Sequence, residues 1–210
     1  MKIAMLSDTH NSYGTLVVPE CDILISAGDY SFRGTKNEVI NFHKWFAKQP
    51  AKHLISVQGN HEIEVEKNFE QSKDMINRLD TRIHFIAEQT LRIEGFKIHC
   101  SAVTPAYNNW AWNRERGNEI KKHWDLIPDD IDILVTHGPP FGILDKVERR
   151  MVGCVDLLKR IYELRKLRLH VFGHIHYSSG EETINRIRFV NASICDENYK
   201  AVNPVRIFEF

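Results

Sequence analysis

Apolar residues along the chain fall into short runs that end abruptly in polar loops. Residues 3–6 run into Ser7-Asp8-Thr9-His10, and residues 23–25 into Ala27-Gly28-Asp29. Residues 53–57 lead to Gly59-Asn60-His61, 131–135 to Thr136-His137-Gly138, and 169–172 to Gly173-His174-Ile175-His176. Runs of this length, rich in β-branched residues and bounded by Gly and polar residues, predict buried strands. Between them the spacing changes to helical. Residues 35–49 read as a helix, with Thr35 and Glu38 at capping-box positions, Val39, Phe42, His43 and Phe46 at helical intervals, and Pro50 closing the run. Residues 62–78, 115–124 and 155–167 give further helices. Residues 83–86, 90–93 and 96–101 read as successive strands, with Glu94-Gly95 as a two-residue turn, and the tail is strand-like over 181–184, 186–190 and 205–210. The pattern is α/β. Periodicity leaves the number of layers open.

No repeat, low-complexity tract or Pro/Ser-rich linker interrupts it, so residues 1–210 are expected to form one domain. A chain of this length buries roughly 70% of its unfolded surface without disulfides. Hydrophobic content of 42% and charged content of 27% are those of a globular protein. The 28 basic and 28 acidic residues cancel, which removes the bulk field of a stable nucleic-acid binder. The four cysteines stand far apart with no C-x-x-C pair, as in a reduced, cytoplasmic chain. The apolar start is too short for a signal segment, and no run approaches a membrane span.

The loops change the picture. In open α/β sheets, the loops at the carboxyl ends of strands are where ligands bind. These five would empty Asp8, His10, Asp29, Asn60, His61, His137, His174 and His176 into one crevice. On an extended strand end, Asp8 and His10 would project the same way, and so would His174 and His176. Each motif alone is ordinary loop chemistry. Their order, each following a strand, points to a metal site. Mixed carboxylate, imidazole and amide ligands suit manganese first, with iron or zinc as alternatives, over magnesium or calcium. Of the remaining histidines, His43, His53, His84, His99, His123 and His170 fall inside predicted elements and read as structural or surface residues.

The ordered set D-x-H, G-D, G-N-H, T-H-G, G-H-x-H resembles the calcineurin-like metallophosphoesterase superfamily from Ser7 to His176. Longer strings, among them Trp124-Asp125-Leu126-Ile127-Pro128, Thr136-His137-Gly138-Pro139-Pro140 and Asn191-Ala192-Ser193-Ile194-Cys195, are similar to the single-domain metallophosphoesterase-domain-containing phosphodiesterases. The resemblance implies a four-layer α/β/β/α sandwich and two divalent transition-metal ions. Asp8, His10 and His176 would hold the first ion and Asn60, His137 and His174 the second, with Asp29 bridging them. His61 would face the substrate as a general acid. Two ions so bridged generate hydroxide and clamp an in-line displacement at phosphorus. The implied reaction is hydrolysis of a small phosphodiester, nucleotide-type in particular. A broad phosphomonoesterase or a nuclease on the same site is the alternative, and a metal-binding interaction module without turnover is the competing class. Many relatives carry a second Asp three residues after the bridging one. Phe32 stands there, which weakens a protein-phosphatase reading and leaves Arg33 as a candidate phosphate contact. Trp110 and Trp112, amid amides and Arg114, are candidates for a base-stacking wall, or else anchors for a polar loop.

Overall fold

The computed structural model describes all of residues 1–210. In chain order the strands are β1 (Lys2–Leu6), β2 (Cys21–Ser26), β3 (Ala51–Val57), β4 (Ile83–Ile86), β5 (Glu88–Ile93), β6 (Phe96–Ser101), β7 (Thr104–Pro105) and β8 (Asn113–Arg114). They continue with β9 (Ile133–Thr136), β10 (Lys146–Val147), β11 (Arg150–Met151), β12 (Leu169–Phe172), β13 (Gly180–Ile184), β14 (Ile187–Asn191) and β15 (Arg206–Glu209). The helices are α1 (Lys36–Phe46), α2 (Ile63–Lys67), α3 (Phe69–Leu79), α4 (Asn118–Trp124) and α5 (Val155–Glu163).

Two sheets carry the fold, ordered β15-β1-β2-β3-β4 and β13-β14-β12-β9-β6-β5. Within each, the central strands are parallel and the antiparallel partners lie at the edges. Alternation along the strands divides the apolar residues between two faces. Ile3, Met5, Ile23, Ile25, Ile55 and Val57 of the first sheet meet Ile98, Cys100, Ile133, Val135, Val171 and Val190 of the second. The opposite face of the first sheet, with Ala4, Leu6, Leu24 and Leu54, packs on Val39, Phe42 and Phe46 of α1 and Ile76 of α3. The outer face of the second, with Leu134, Phe172 and Phe189, packs on Ile120 and Trp124 of α4 and Leu157 and Ile161 of α5. The result is an α/β/β/α sandwich, and each large apolar side chain it buries contributes about 1.5–3 kcal/mol.

The helices differ from the expected spans where side chains intervene. Thr35 caps α1 through a complete capping box with Glu38, as the spacing predicts. The helix expected over 62–78 is two: Asn68 ends α2 with φ −133° and its amide donates to the Glu64 carbonyl at 3.1 Å. Short polar side chains that bond to nearby backbone compete with the helix in this way. The helix expected to start at 115 begins at Asn118, after Gly117 with φ 83°. α5 stops at Glu163, because Leu164 is extended. Glu94 and Gly95 form the expected tight turn, both with positive φ.

Because β1, β2 and β3 are parallel neighbours, their carboxyl ends lie side by side, as do those of β9, β12 and β14 in the other sheet. The two rows are joined at this end by a parallel bridge between Ser7 and Ser193. No helix is long and apolar enough to cross a membrane.

Candidate metal centre

Asp8, His10 and His176 present ligand atoms that all lie within 4.8 Å of one another, and so do Asp29, His137 and His174. Asp29 also groups with His10 and His61, which places it between the two sets. Asn60 joins the second set through its Oδ1, 2.8 Å from His137 Nε2, while Asp29 Oδ2 is 3.2 Å from the same nitrogen. In the first set, His176 Nε2 lies 3.4 Å from Asp8 Oδ1 and 3.2 Å from His10 Nε2.

The local backbone is what brings these side chains together. Asp8, His10, Asp29 and His174 all have positive φ, at 52°, 40°, 51° and 67°. The extended backbone expected at both motifs is therefore corrected, although Asp8 and His10 still converge on one cluster as expected. A left-handed residue breaks strand alternation, so His174 turns toward Asp29 and His137 while His176 turns toward Asp8 and His10. Three glycines make room. A Cβ on Gly28 would come 2.5 Å from His137 Nδ1, on Gly59 2.3 Å from Asp29 Oδ1, and on Gly173 2.0 Å from Asp8 Oδ2.

Three of the four ligand imidazoles are oriented from behind. His10 Nδ1 faces the Ser31 carbonyl at 3.2 Å, His137 Nδ1 that of Ala27 at 2.8 Å, and His176 Nδ1 that of Asp196 at 2.9 Å. A carbonyl only accepts, so each of these Nδ1 atoms carries a proton and each Nε2 faces inward, the usual arrangement behind a metal-bound histidine. Asp8 accepts from the backbone N–H of His174 and from Ser193 Oγ at 2.8 Å. Asp29 Oδ1 accepts from the His61 N–H at 2.8 Å.

The titration of the cluster fits a cation. Burial opposes ionisation of Asp8 and Asp29, yet His176 beside the first and His137 beside the second hold both well below the ordinary carboxylate range. Burial pushes His10 and His174 down to about 4, so both are neutral ligands at neutral pH. Burial also disfavours charge on His137 and His176, but Asp29 and Asp8 outweigh it and raise each to about 9. Each half thus holds one neutral imidazole and one whose Nε2 proton occupies a buried position ringed by acceptors. Two Nε2 atoms facing each other at 3.2 Å, as in His10 and His176, need a proton or a metal between them. The donor set fits a divalent transition ion in each half.

Residues 1–178 match the family described as Calcineurin-like phosphoesterase. The chain is 34% identical over 224 residues to Metallophosphoesterase domain-containing protein 1 of Homo sapiens, spanning 97% of this chain and 69% of that protein. It is 30% identical over 227 residues to a UPF0046 protein of Caenorhabditis elegans, spanning 100% of this chain and 80% of that one. The chain belongs to the calcineurin-like phosphoesterase family. Its fold is also that of two solved structures at 14% identity. One, covering 90% of this chain, superposes with a TM-score of 0.68, and the other, covering 100%, is described as an archaeal phosphodiesterase and superposes with a TM-score of 0.55. Calcineurin-like phosphoesterases use divalent metal ions, and the clusters described above are where this member could hold them.

The centre opens into a cleft of about 270 Å³ lined by Asp29, Asn60, His61, His174 and His176 on its floor. His61 stands at the edge. Its Nδ1 faces the Phe32 carbonyl at 3.0 Å, and its Nε2 lies 3.9 Å from Asp29 Oδ2. The Trp110 ring packs on it with centroids 4.1 Å apart. The other expected residues lie elsewhere. Trp112 is 9% exposed and belongs to the core between the sheets, against Phe69, where no substrate reaches it. Arg33 is exposed and does not line the cleft, whereas the neighbouring Phe32 stacks on His10 at 5.5 Å.

Glu62 belongs to the site although it lies outside the set expected from the sequence. Its buried carboxylate accepts from the backbone N–H of Asp29 at 2.9 Å, of Gly59 at 2.7 Å and of Ser31 at 3.2 Å, and from Ser31 Oγ at 2.8 Å. One carboxylate therefore ties the loops after β2 and β3 together. Burial first, and then Asp29, raises it to about 8. A Glu directly after Gly-Asn-His was the available signal. Tyr199, whose ring meets His10 edge-on at 4.8 Å, had none, since it arrives from the tail.

Proposed function

We propose that this family member is a dinuclear-metal phosphodiesterase acting on small diesters, of the nucleotide type or with another alcohol that the aromatic wall receives. The observation that carries the reading is a pair of ligand clusters with Asp29 in one and within reach of His10 in the other, opening onto a cleft with aromatic rather than cationic walls. Asp8, His10 and His176 would hold one ion and Asn60, His137 and His174 the other, with Asp29 between. When bound, two such ions supply Lewis acidity and a nucleophile at neutral pH.

The chain's own residues do the rest. The carbonyls behind His10, His137 and His176 fix which nitrogen each ring presents, and Glu62 holds the Asp29 and Asn60 loops in register. With Nδ1 committed to the Phe32 carbonyl, His61 can carry a transferable proton at Nε2, at the cleft edge where a leaving oxygen would sit. Trp110 packs against that ring and offers a flat surface to the ester's second alcohol, a nucleoside being one such alcohol. A terminal phosphate dianion would call for a guanidinium or ammonium, and the cleft lining contains neither.

The reading is tested by comparing kcat/KM for bis-p-nitrophenyl phosphate and p-nitrophenyl phosphate on manganese-loaded protein. The diester should be the better substrate. A preference for the monoester would move the protein to the phosphomonoesterases.

A further inference from the structure

Three of the chain's six tyrosines, Tyr107, Tyr177 and Tyr199, line the cleft beside Trp110. They are 69%, 56% and 43% exposed, so their faces are displayed rather than packed away. The same wall carries Glu197 and contains no lysine or arginine. The Glu197 carboxylate forms neither hydrogen bond nor ion pair with the chain. Aromatic faces bind weakly hydrated cations through their quadrupoles, and a free carboxylate beside them adds charge attraction. We propose that this wall is a subsite for a cationic alcohol, so that the protein selects phosphodiesters in which one alcohol is of the choline type. The inference rests on the diesterase reading and names the substrate class within it.

The way the wall is built supports the assignment. Glu197 and Tyr199 come from one tight turn. Asp196 Oδ1 accepts from the N–H groups of Asn198 and Lys200, both at 2.9 Å, and its carbonyl accepts from Tyr199 N–H at 3.0 Å. Tyr199 adopts φ 60°, a conformation bulky side chains avoid, and this swings its ring to 4.8 Å from His10 and 5.7 Å from His176. The Asp196 carbonyl also accepts from His176 Nδ1. A single turn therefore aligns a metal-facing imidazole and presents the carboxylate and a ring of the subsite. A planar base would find the aromatic faces but would leave the Glu197 charge facing no cation.

The test uses manganese-loaded protein and two diesters with the same p-nitrophenyl leaving group. One carries choline and the other 3,3-dimethylbutanol, its uncharged isostere. The choline ester should have a kcat/KM about tenfold higher or more in the wild type. That ratio should fall to near unity in Glu197→Gln and drop in Tyr199→Leu. A wild-type ratio near unity, or one that Glu197→Gln leaves unchanged, overturns the proposal. So does faster cleavage of the thymidine 5′-p-nitrophenyl ester than of the choline ester, which would give the wall to a base. Calorimetric titration of phosphocholine against 3,3-dimethylbutyl phosphate reads the same preference without turnover. If neither diester is cleaved, the diesterase reading fails, while tighter binding of phosphocholine still upholds the cation subsite and equal binding removes it.

Discussion

At the scale of single residues, the site depends on backbone angles that side chains usually avoid. Asp8, His10, Asp29 and His174 sit in the left-handed region, at a cost of about 1–3 kcal/mol each. This is why the residue types of the site were legible in the sequence while their directions were not. Period-two alternation cannot foresee a left-handed residue, and it paired His174 with His176 where the fold parts them. Asp29→Asn tests the shared carboxylate with little added strain, because Asn tolerates this conformation. Elemental analysis should show loss at both metal positions, and two ions per chain would contradict the bridging role. His61→Gln should keep both metals and lower turnover about 10²–10⁴-fold on diesters with poor leaving groups. The loss should be smaller on p-nitrophenyl esters, whose leaving oxygen hardly needs a proton; equal losses on both would argue for positioning instead. In metal-free protein, His137 and His176 are raised from the ordinary 6.5 to about 9. The stability they lend is full below about pH 6.5 and is lost as pH rises through about 9. Thermal melts of stripped protein should therefore weaken over that range, and melts of metal-loaded protein should not.

At the scale of elements, α1 is the part whose sequence and structure agree most closely. Its capping box is complete, and Glu38 does more than cap. The carboxylate also accepts from Phe32 N–H at 2.9 Å and from the Asn11 side chain at 3.0 Å, tying the loops after β1 and β2 to the helix. Thr35→Ala should cost about 1 kcal/mol. Glu38→Ala should cost more than Thr35→Ala in urea melts, since three segments lose an acceptor, and an equal cost would reduce Glu38 to a simple cap. Elements depart from the periodic pattern where one polar or left-handed residue overrides it. Asn68 splits α2 from α3, and Asn185 with Arg186, at φ 47° and 68°, turns the last hairpin two residues wide. Arg at such a position gives no turn signal.

At the scale of the whole molecule, the site belongs to neither sheet. The first contributes Asp8, His10, Asp29, Asn60 and His61, and the second His137, His174 and His176, meeting at the Ser7–Ser193 bridge. The order of motifs along the chain was enough to predict that meeting, because parallel strands deliver their carboxyl ends to one edge of each sheet. The cleft walls were not readable in the same way. Tyr107, Tyr177 and Tyr199 come from three distant loops, and Trp112, one residue past an alanine from Trp110, points into the core instead. On the proposed function, the joined edges hold two metal ions and hydrolysis depends on both. The most direct measurement titrates manganese into metal-stripped protein while following bis-p-nitrophenyl phosphate hydrolysis. No activity is expected without metal, with a rise that saturates at two equivalents per chain. Activity in stripped protein, or saturation at one equivalent, would contradict it.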